Sequence, residues 1–358
     1  MVLCWVDVLT PKQAMFLWKL APKLEHAGFK VLITSRRYRE LNGVMKLRKI
    51  NSIIIGKHGG KTLQGKLKAS ISRTMGLAKL IMKLKPEVAI SFASVEAARI
   101  TFGLRIPHVC LCDSPHSTAV AKLTIPLIQK LLTPWIIPKR RWTQYGIMEK
   151  NIIHYRALDP YVWLKDYQPD RKIVEELKLD LSKPIIVVRA SESWASYLIG
   201  KVNELGLPKD LVNFILECSF DVQFIVLARY WNQIQALRRV LKRRAIIPNR
   251  VVDSTSLLYY SSVFIGGGGT MNTEAALIGI PTISCYPREP YTIEKFLISK
   301  GLVHKIEKPE ETLNLLKEIL ENLDYWRKKH KNEAMRLMKK MEDPIPKVIS
   351  VVKEVCEI

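Results

Sequence analysis

Ser261 to Cys285 reads SSVFIGGGGTMNTEAALIGIPTISC. Val263-Phe264-Ile265 is a short apolar strand, and Gly266 to Gly269 follow it without a break. Thr270 is placed to cap a helix that Ala275, Ala276 and Leu277 favour. Gly279 ends that helix, Pro281 prevents its continuation, and Thr282 to Cys285 form a second strand. A strand, a turn, a helix and a strand in that order are the repeating unit of a parallel α/β sheet.

Four residues without a β-carbon let the backbone take positive φ and approach a ligand closely. The helix that follows aims its free N–H groups and the positive end of its dipole into the same space. Phosphate or diphosphate is the occupant this favours, with Gly266, Gly267, Gly268, Gly269 and Thr270 as its contacts. Glu274 lies about one turn into the helix and faces back toward the loop. A carboxylate there suits the hydroxyls of a ribose or hexose better than a phosphate. A tight turn with Glu274 in solvent is the plainer reading, but one or two glycines would serve for a turn. The loop matches neither GxGxxG nor GxxxxGK[ST], which argues against a nicotinamide site and a P-loop ATPase.

Upstream, Asp253-Ser254-Thr255 cap a short helix over Ser256 to Tyr260, after a short strand at Arg250 to Val252. Their loop would lie beside the base of a nucleotide held at the glycines. The strand Pro184 to Val188 ends at Arg189-Ala190-Ser191. There Arg189 either reaches an anionic ligand or pairs with Glu192, and Ser191 stands with it as a candidate contact.

The first half repeats the pattern. Val2 to Val8, Gln13 to Ala27 and Phe29 to Thr34 form a βαβ unit. Asp7 and Lys12 fall at the carboxyl end of the first strand, where open α/β sheets bind ligands; a turn-capping role for Asp7 is equally open. The basic loop Gly56 to Thr62 is a weaker phosphate candidate, and a long basic helix follows it to Lys85. Asp113-Ser114-Pro115-His116 comes after the strand His108 to Cys112. Asp113 and His116 are either a base and its orienter or an Asx turn before Pro115. Ala119 to Trp142 mixes apolar and basic residues. Trp135, Trp142 and Lys139-Arg140-Arg141 suit a membrane-surface patch, with Ile125, Leu127 and Leu132 in the core.

The chain has 358 residues, 48% of them hydrophobic, and a net charge of +24. That length fits two domains, with residues 1–160 and 161–342 as the expected pair. An amphipathic segment, 343–358, is expected to pack back on the first. The longest apolar runs are strand-length, too short to span a bilayer. The opening MVLCWVDVLT reads as a strand instead of a signal peptide, which places the chain in the cytoplasm. The six cysteines form no metal-ligand pattern. So basic a surface attracts phosphorylated metabolites, anionic lipid headgroups or nucleic acid. No nucleic-acid module accompanies the charge, which ranks nucleic acid last.

VVDSTSLLYYSSVFIGGGGTMNTEAALIGIPTISCYP resembles a family of archaeal and bacterial domain-of-unknown-function proteins. SFASVEAARI, the Asp113–His116 loop and VVRASESWASY share the resemblance. That family is itself similar to GT-B glycosyltransferases. Its better-known relatives are the lipid-linked N-acetylglucosaminyltransferase of peptidoglycan synthesis and UDP-N-acetylglucosamine 2-epimerase. The resemblance implies two Rossmann-like domains facing a cleft, with the nucleotide-sugar, a UDP-sugar by the same resemblance, held by the second domain. It puts the diphosphate at 266–270, hydroxyls at Glu274, the base near 253–257 and Arg189 near the phosphates. It implies no cofactor and no metal at the diphosphate, in keeping with the lack of a DxD motif. It assigns the acceptor to the first domain, to Asp7, Lys12, Ser94, Asp113 and His116. The histidine the family has near its first turn is replaced here by Thr10-Pro11-Lys12-Gln13.

The expected function is therefore sugar transfer from a nucleoside diphosphate, with Asp113 or His116 as the general base and Asp7 counted with them as a catalytic residue. A lipid-phosphate acceptor at the inner membrane face, met through 121–142, is the expected partner. A nucleotide-sugar 2-epimerase or hydrolase, and a non-catalytic anion- or nucleic-acid-binding protein, are the other readings.

Overall fold

A computed structural model describes residues 1–191, 204–286, 288–306 and 309–357. The chain divides into two units, Met1–Trp163 with Met341–Ile358, and Leu164–Lys340. Each is a Rossmann-like parallel sheet flanked by helices.

The first unit alternates β1 (Val2–Val8), α1 (Pro11–His26), β2 (Phe29–Arg37), α2 (Arg39–Leu47), β3 (Ile53–Lys57), α3 (Leu63–Leu84), β4 (Val88–Ser91) and α4 (Val95–Leu104). It continues with β5 (His108–Leu111), α5 (Thr118–Thr124), β6 (Lys130–Pro134), α6 (Arg140–Thr143), β7 (Ile152–Tyr155) and α7 (Tyr161–Leu164). The strands lie in the order β3-β2-β1-β4-β5-β6-β7, all parallel. Helices cover both faces, so strand residues such as Trp5, Val6, Ala89 and Ile90 are fully buried, as parallel sheets require. The direction of winding reverses between β1 and β4, where Asp7 pairs in register with Ser91. The loops leaving those two strands are thereby set side by side.

Asp7 is not a base in waiting. Its carboxylate is wholly buried and takes two bonds from Arg73, Nη2 to Oδ1 at 2.6 Å and Nη1 to Oδ2 at 3.0 Å. The hydroxyls of Thr34 and Ser94 each donate to it at 2.6 Å. Burial alone would raise the carboxyl, but Arg73, Ser94 and Thr34 outweigh it and hold it below the ordinary value. Ser94, also fully buried, accepts from the Ala97 N–H at 3.2 Å and so caps α4. Both residues are therefore structural, and the expectation that Asp7 acts in catalysis and Ser94 holds an acceptor is corrected. Arg73 Nε also donates to the Ile55 carbonyl at 3.0 Å, which clamps α3 to β3.

Residues 121–142 also differ from expectation. Trp142 is completely buried in a cluster with Ile125, Ile128, Leu131 and Ile137. It packs the core of this unit and cannot anchor a membrane patch.

The second unit runs α8 (Lys172–Leu177), β8 (Ile185–Arg189), α9 (Lys209–Glu217), β9 (Gln223–Leu227), α10 (Trp231–Leu241), β10 (Ala245–Ile246), α11 (Ser254–Tyr260), β11 (Val263–Gly266) and α12 (Thr270–Ile278). Then come β12 (Thr282–Ser284), α13 (Thr292–Ser299), β13 (His304–Lys305), α14 (Pro309–Glu321) and α15 (Leu323–Met338). Its order is β10-β9-β8-β11-β12-β13, with the reversal between β8 and β11. The strand expected at Arg250 to Val252 is absent; β10 forms earlier, paired with Phe224 and Ile225. The final helix, α16 (Pro344–Val355), packs on α1 and β5 of the first unit. Asp343 caps it, accepting from Ile345 N–H at 3.1 Å, and Val348 and Val352 are fully buried. Among the described residues, no helix is long and apolar enough to cross a membrane.

Candidate functional site

In the second unit, Arg189, Gly266 and Ser284 pair in register and form one row across the carboxyl ends of β8, β11 and β12. The glycine loop leaves from the middle of that row, at the reversal point. Gly268 has φ +80° and Gly269 φ +88°. Gly269, with ψ −158°, is the residue before α12. The helix therefore starts at Thr270, with Gly269 in the capping place expected for Thr270. The φ/ψ pair of Gly269 is essentially reserved for glycine.

The loop is also crowded on one side. A β-carbon at Gly267 would come 2.3 Å from Ser191 Oγ, and one at Gly266 2.5 Å from Asn272 Oδ1. At Gly269 it would meet nothing within 4 Å, so that side is open. Asn272, in the first turn of α12, is 2% exposed, and its side-chain amide has no hydrogen-bond partner among the described residues. A buried amide left so costs about 1–3 kcal/mol.

Glu274 is 4% exposed and accepts from the Thr255 hydroxyl at 3.0 Å. Thr255 is itself buried, so its side chain serves to fix Glu274. Asp253 is likewise engaged. It caps α11 through the Ser256 N–H at 3.2 Å and accepts from the Tyr167 hydroxyl at 2.7 Å. Ser254 is the half-buried first residue of that helix. Arg189, half-buried, directs Nη1 to the Leu227 carbonyl at 3.5 Å. Glu192, its alternative partner, and most of VVRASESWASY lie outside the described residues. Glu294 was not foreseen. Its Oε2 is 3.3 Å from where a β-carbon on Gly268 would sit, and it accepts from the Ser284 hydroxyl. Burial raises its carboxyl above the ordinary value.

The first unit gathers a second cluster at the carboxyl ends of its strands. Lys12, in the first turn of α1, bridges Asp113 after β5 and Asp159 after β7, the latter at 2.5 Å. The Tyr155 hydroxyl donates to Asp159. Burial would lower the Lys12 ammonium, but the two carboxylates overcome it and raise it. Burial also pushes both carboxyls up. Lys12 pulls Asp113 below the ordinary value, whereas Asp159, beside Asp113 as well, stays above it. His116 is half-buried on the same loop as Asp113, and that loop is tied down by Tyr145, whose hydroxyl donates to the Pro115 carbonyl at 2.7 Å. Burial lowers the imidazole, with Asp113 opposing, so His116 is neutral near pH 7. Asp159 and Tyr155 escaped the sequence reading. The sequence marks Lys12 and Asp113 but offers for the other two only an apolar strand followed by Leu158-Asp159-Pro160.

A family model described as "Protein of unknown function (DUF354)" matches residues 2–357. A curated relative, "Uncharacterized protein MJ0665" of Methanocaldococcus jannaschii, is 34% identical over 324 residues, 88% of this chain and 91% of the relative. Among solved structures, UDP-GlcNAc 2-epimerase of Neisseria meningitidis bound to UDP-GlcNAc matches with TM-score 0.74 and 16% identity, over 99% of both chains. MnaA of S. aureus with UDP matches with TM-score 0.74 and 14% identity, over 100% of this chain and 97% of that one. Anabaena Alr3699/HepE with UDP-glucose matches with TM-score 0.65 and 13% identity, over 100% of both chains. At such identities the structural likeness speaks for the GT-B-like fold.

Proposed function

Since the chain belongs to the DUF354 family, we propose that this member is a glycosyltransferase that takes a sugar from a nucleoside diphosphate, UDP in the first instance. The observation that carries the proposal is the glycine loop, whose positive φ angles open the backbone toward the start of α12 at the reversal of a parallel sheet. The diphosphate would sit on the N–H groups from Gly267 to Thr270, with Arg189 and Ser191 beside it. Glu274, fixed by Thr255, would take ribose or sugar hydroxyls, and the Asn272 amide would gain a partner. The loop at Asp253 to Thr255 would stand near the base. UDP-sugars are what several proteins of this fold were solved with.

In the transfer, an acceptor oxygen bonds to the anomeric carbon as the bond from that carbon to the diphosphate oxygen breaks. The electron pair leaves on the β-phosphate, where the helix N-terminus and Arg189 stabilise it. The acceptor proton goes to His116, with Lys12 and Asp113 holding the acceptor in the first unit. A lipid-phosphate acceptor is in keeping with the +24 charge.

Calorimetric titration of UDP, GDP, ADP and dTDP tests the donor assignment. UDP is expected to bind selectively, and Glu274→Gln to weaken it about tenfold, the worth of a hydrogen bond to a charged group. Equal binding of all four, or of none, would leave a non-catalytic anion-binding protein instead. Turnover should also report His116. The base acts when neutral, so the rate is expected to fall only as pH drops through its lowered pKa, below the ordinary histidine value of 6.5. An acid limb unchanged in His116→Asn would remove it from that role.

The cluster of Lys12, Asp113, Asp159 and Tyr155 favours one second reading. It groups acidic and basic side chains such as a nucleotide-sugar 2-epimerase or hydrolase uses for proton transfer. Conversion of UDP-GlcNAc, or release of UDP from it, with no acceptor present would decide for that reading.

A further inference from the structure

We infer that the outer face of α3 docks on an anionic lipid membrane. The inference stands apart from the nucleotide-sugar reading and starts from the helix itself. The inward face of α3 buries Arg73, Leu77 and Ile81. Its outward face is also apolar. Leu63, Leu67, Ile71 and Met75 recur every fourth residue, and they are 65%, 63%, 55% and 62% exposed. Met82 continues the stripe at 53%. A surface helix ordinarily turns polar residues to water. This one cannot roll to hide the stripe, because the bonds from Arg73 to Asp7 and Ile55 fix its rotation.

Lysines border the stripe. Leu67, Lys68, Ile71, Met75 and Lys79 line one shallow groove, and Lys61 and Lys83 are exposed at either end. No acidic residue occurs between Glu40 and Glu87. The helix lies on β3, the edge strand, where Ile53 and Ile54 are 42% and 51% exposed.

Charge decides the occupant. A second copy of the chain would set lysine against lysine, with no carboxylate on this face to relieve them. Nucleic acid would engage the lysines and leave the leucines, isoleucines and methionines in water. An anionic bilayer satisfies both: the lysines meet headgroup phosphates while the apolar stripe enters the acyl boundary. A helix of 22 residues would lie along such a surface for about 33 Å. The docking face is thus on α3 and not on the 121–142 stretch, whose Trp142 is buried.

The test is co-sedimentation of the full chain with two kinds of vesicle, neutral phosphatidylcholine and the same lipid mixed with phosphatidylglycerol. Binding is expected on the mixed vesicles, weakly or not at all on the neutral ones, and it should fall as salt rises. Replacing Lys68, Lys79 and Lys83 by glutamine should lower partitioning about five-fold per lysine. Replacing Leu67, Ile71 and Met75 by serine should lower it at least about tenfold. These side chains are exposed, so both variants should melt like the parent. Failure of the parent to bind the mixed vesicles, or equal binding to both kinds, would overturn the inference. So would unchanged binding by both variants. Sedimentation velocity separates the remaining outcome: a dimer that the serine variant turns into a monomer would make this face a contact between copies.

Discussion

Gly269→Ala is expected to raise the dissociation constant for UDP by about 100-fold, equivalent to about 2.7 kcal/mol. The variant bears one of two costs. The backbone of Gly269, at φ +88° and ψ −158°, lies where an alanine costs about 1–3 kcal/mol of strain. The loop escapes that strain by turning its peptide planes, which takes N–H groups off the bound diphosphate, each worth about 1.5–3 kcal/mol as a bond to a charged group. Any loop that did keep its shape would aim the new methyl into the open side, since nothing stands within 4 Å of it. Gly301→Ala is the control. Gly301 also has positive φ, +67°, and open space around it, but it is remote from the loop in sequence and ends α13. That variant should lose stability and keep its affinity for UDP. If Gly269→Ala binds UDP as tightly as the parent, the glycine loop is not the diphosphate site.

The second large effect concerns stability. Asp7→Asn is expected to destabilise the first unit by about 3 kcal/mol, because it removes the closer of the two carboxylates that face the buried Arg73 guanidinium and leaves only Glu96, at 3.4 Å. The loss should appear in a urea titration as a shift of one transition, with that of the second unit unmoved. It should also depend on pH. The Asp7 carboxyl is held below its ordinary value of 3.8. Its contribution is therefore complete above the unfolded value and disappears as pH falls through the lower, folded one. The gap between parent and variant should narrow below about pH 4. An Asp7→Leu, Arg73→Met double variant should recover part of the loss, since buried ionic groups replaced by apolar ones are often close to neutral and Glu96, which loses Arg73, keeps the Ser70 hydroxyl at 2.7 Å. A parent and an Asp7→Asn variant that unfold together at neutral pH would make the buried pair incidental.

The alternation of strands and helices was legible because parallel strands, buried on both faces, are continuous apolar runs, and glycine and proline mark their ends. The glycine loop was legible for the same local reason. What escaped were pairings between distant residues. Arg73 sits among exposed lysines on a basic helix, and nothing near it in sequence announces that it reaches Asp7 on another element. Asp159 lies in a stretch with no period of its own, yet it shares Lys12 with Asp113. Trp142, beside Lys139-Arg140-Arg141, looked like an interfacial anchor; the apolar cluster around Ile125 and Leu131 claimed it instead. At Thr270 a good capping residue lost its place to Gly269, whose φ and ψ are essentially reserved for glycine. Arg250 to Val252 has the composition of a strand, but the sheet takes its edge pairing from Ala245 and Ile246.

The return of residues 341–358 to the first unit bears on how the protein is made. The strands of that unit leave the ribosome early, but α16, which covers α1 and β5, arrives only after the whole second unit has been translated. The second unit is contiguous and can close its core while the nascent chain is still tethered. The usual N-terminal-first order of folding is thereby reversed for the last step. The earlier-made sheet keeps an uncovered apolar flank until α16 has been made, and transiently exposed apolar surface of that kind is what chaperones act on.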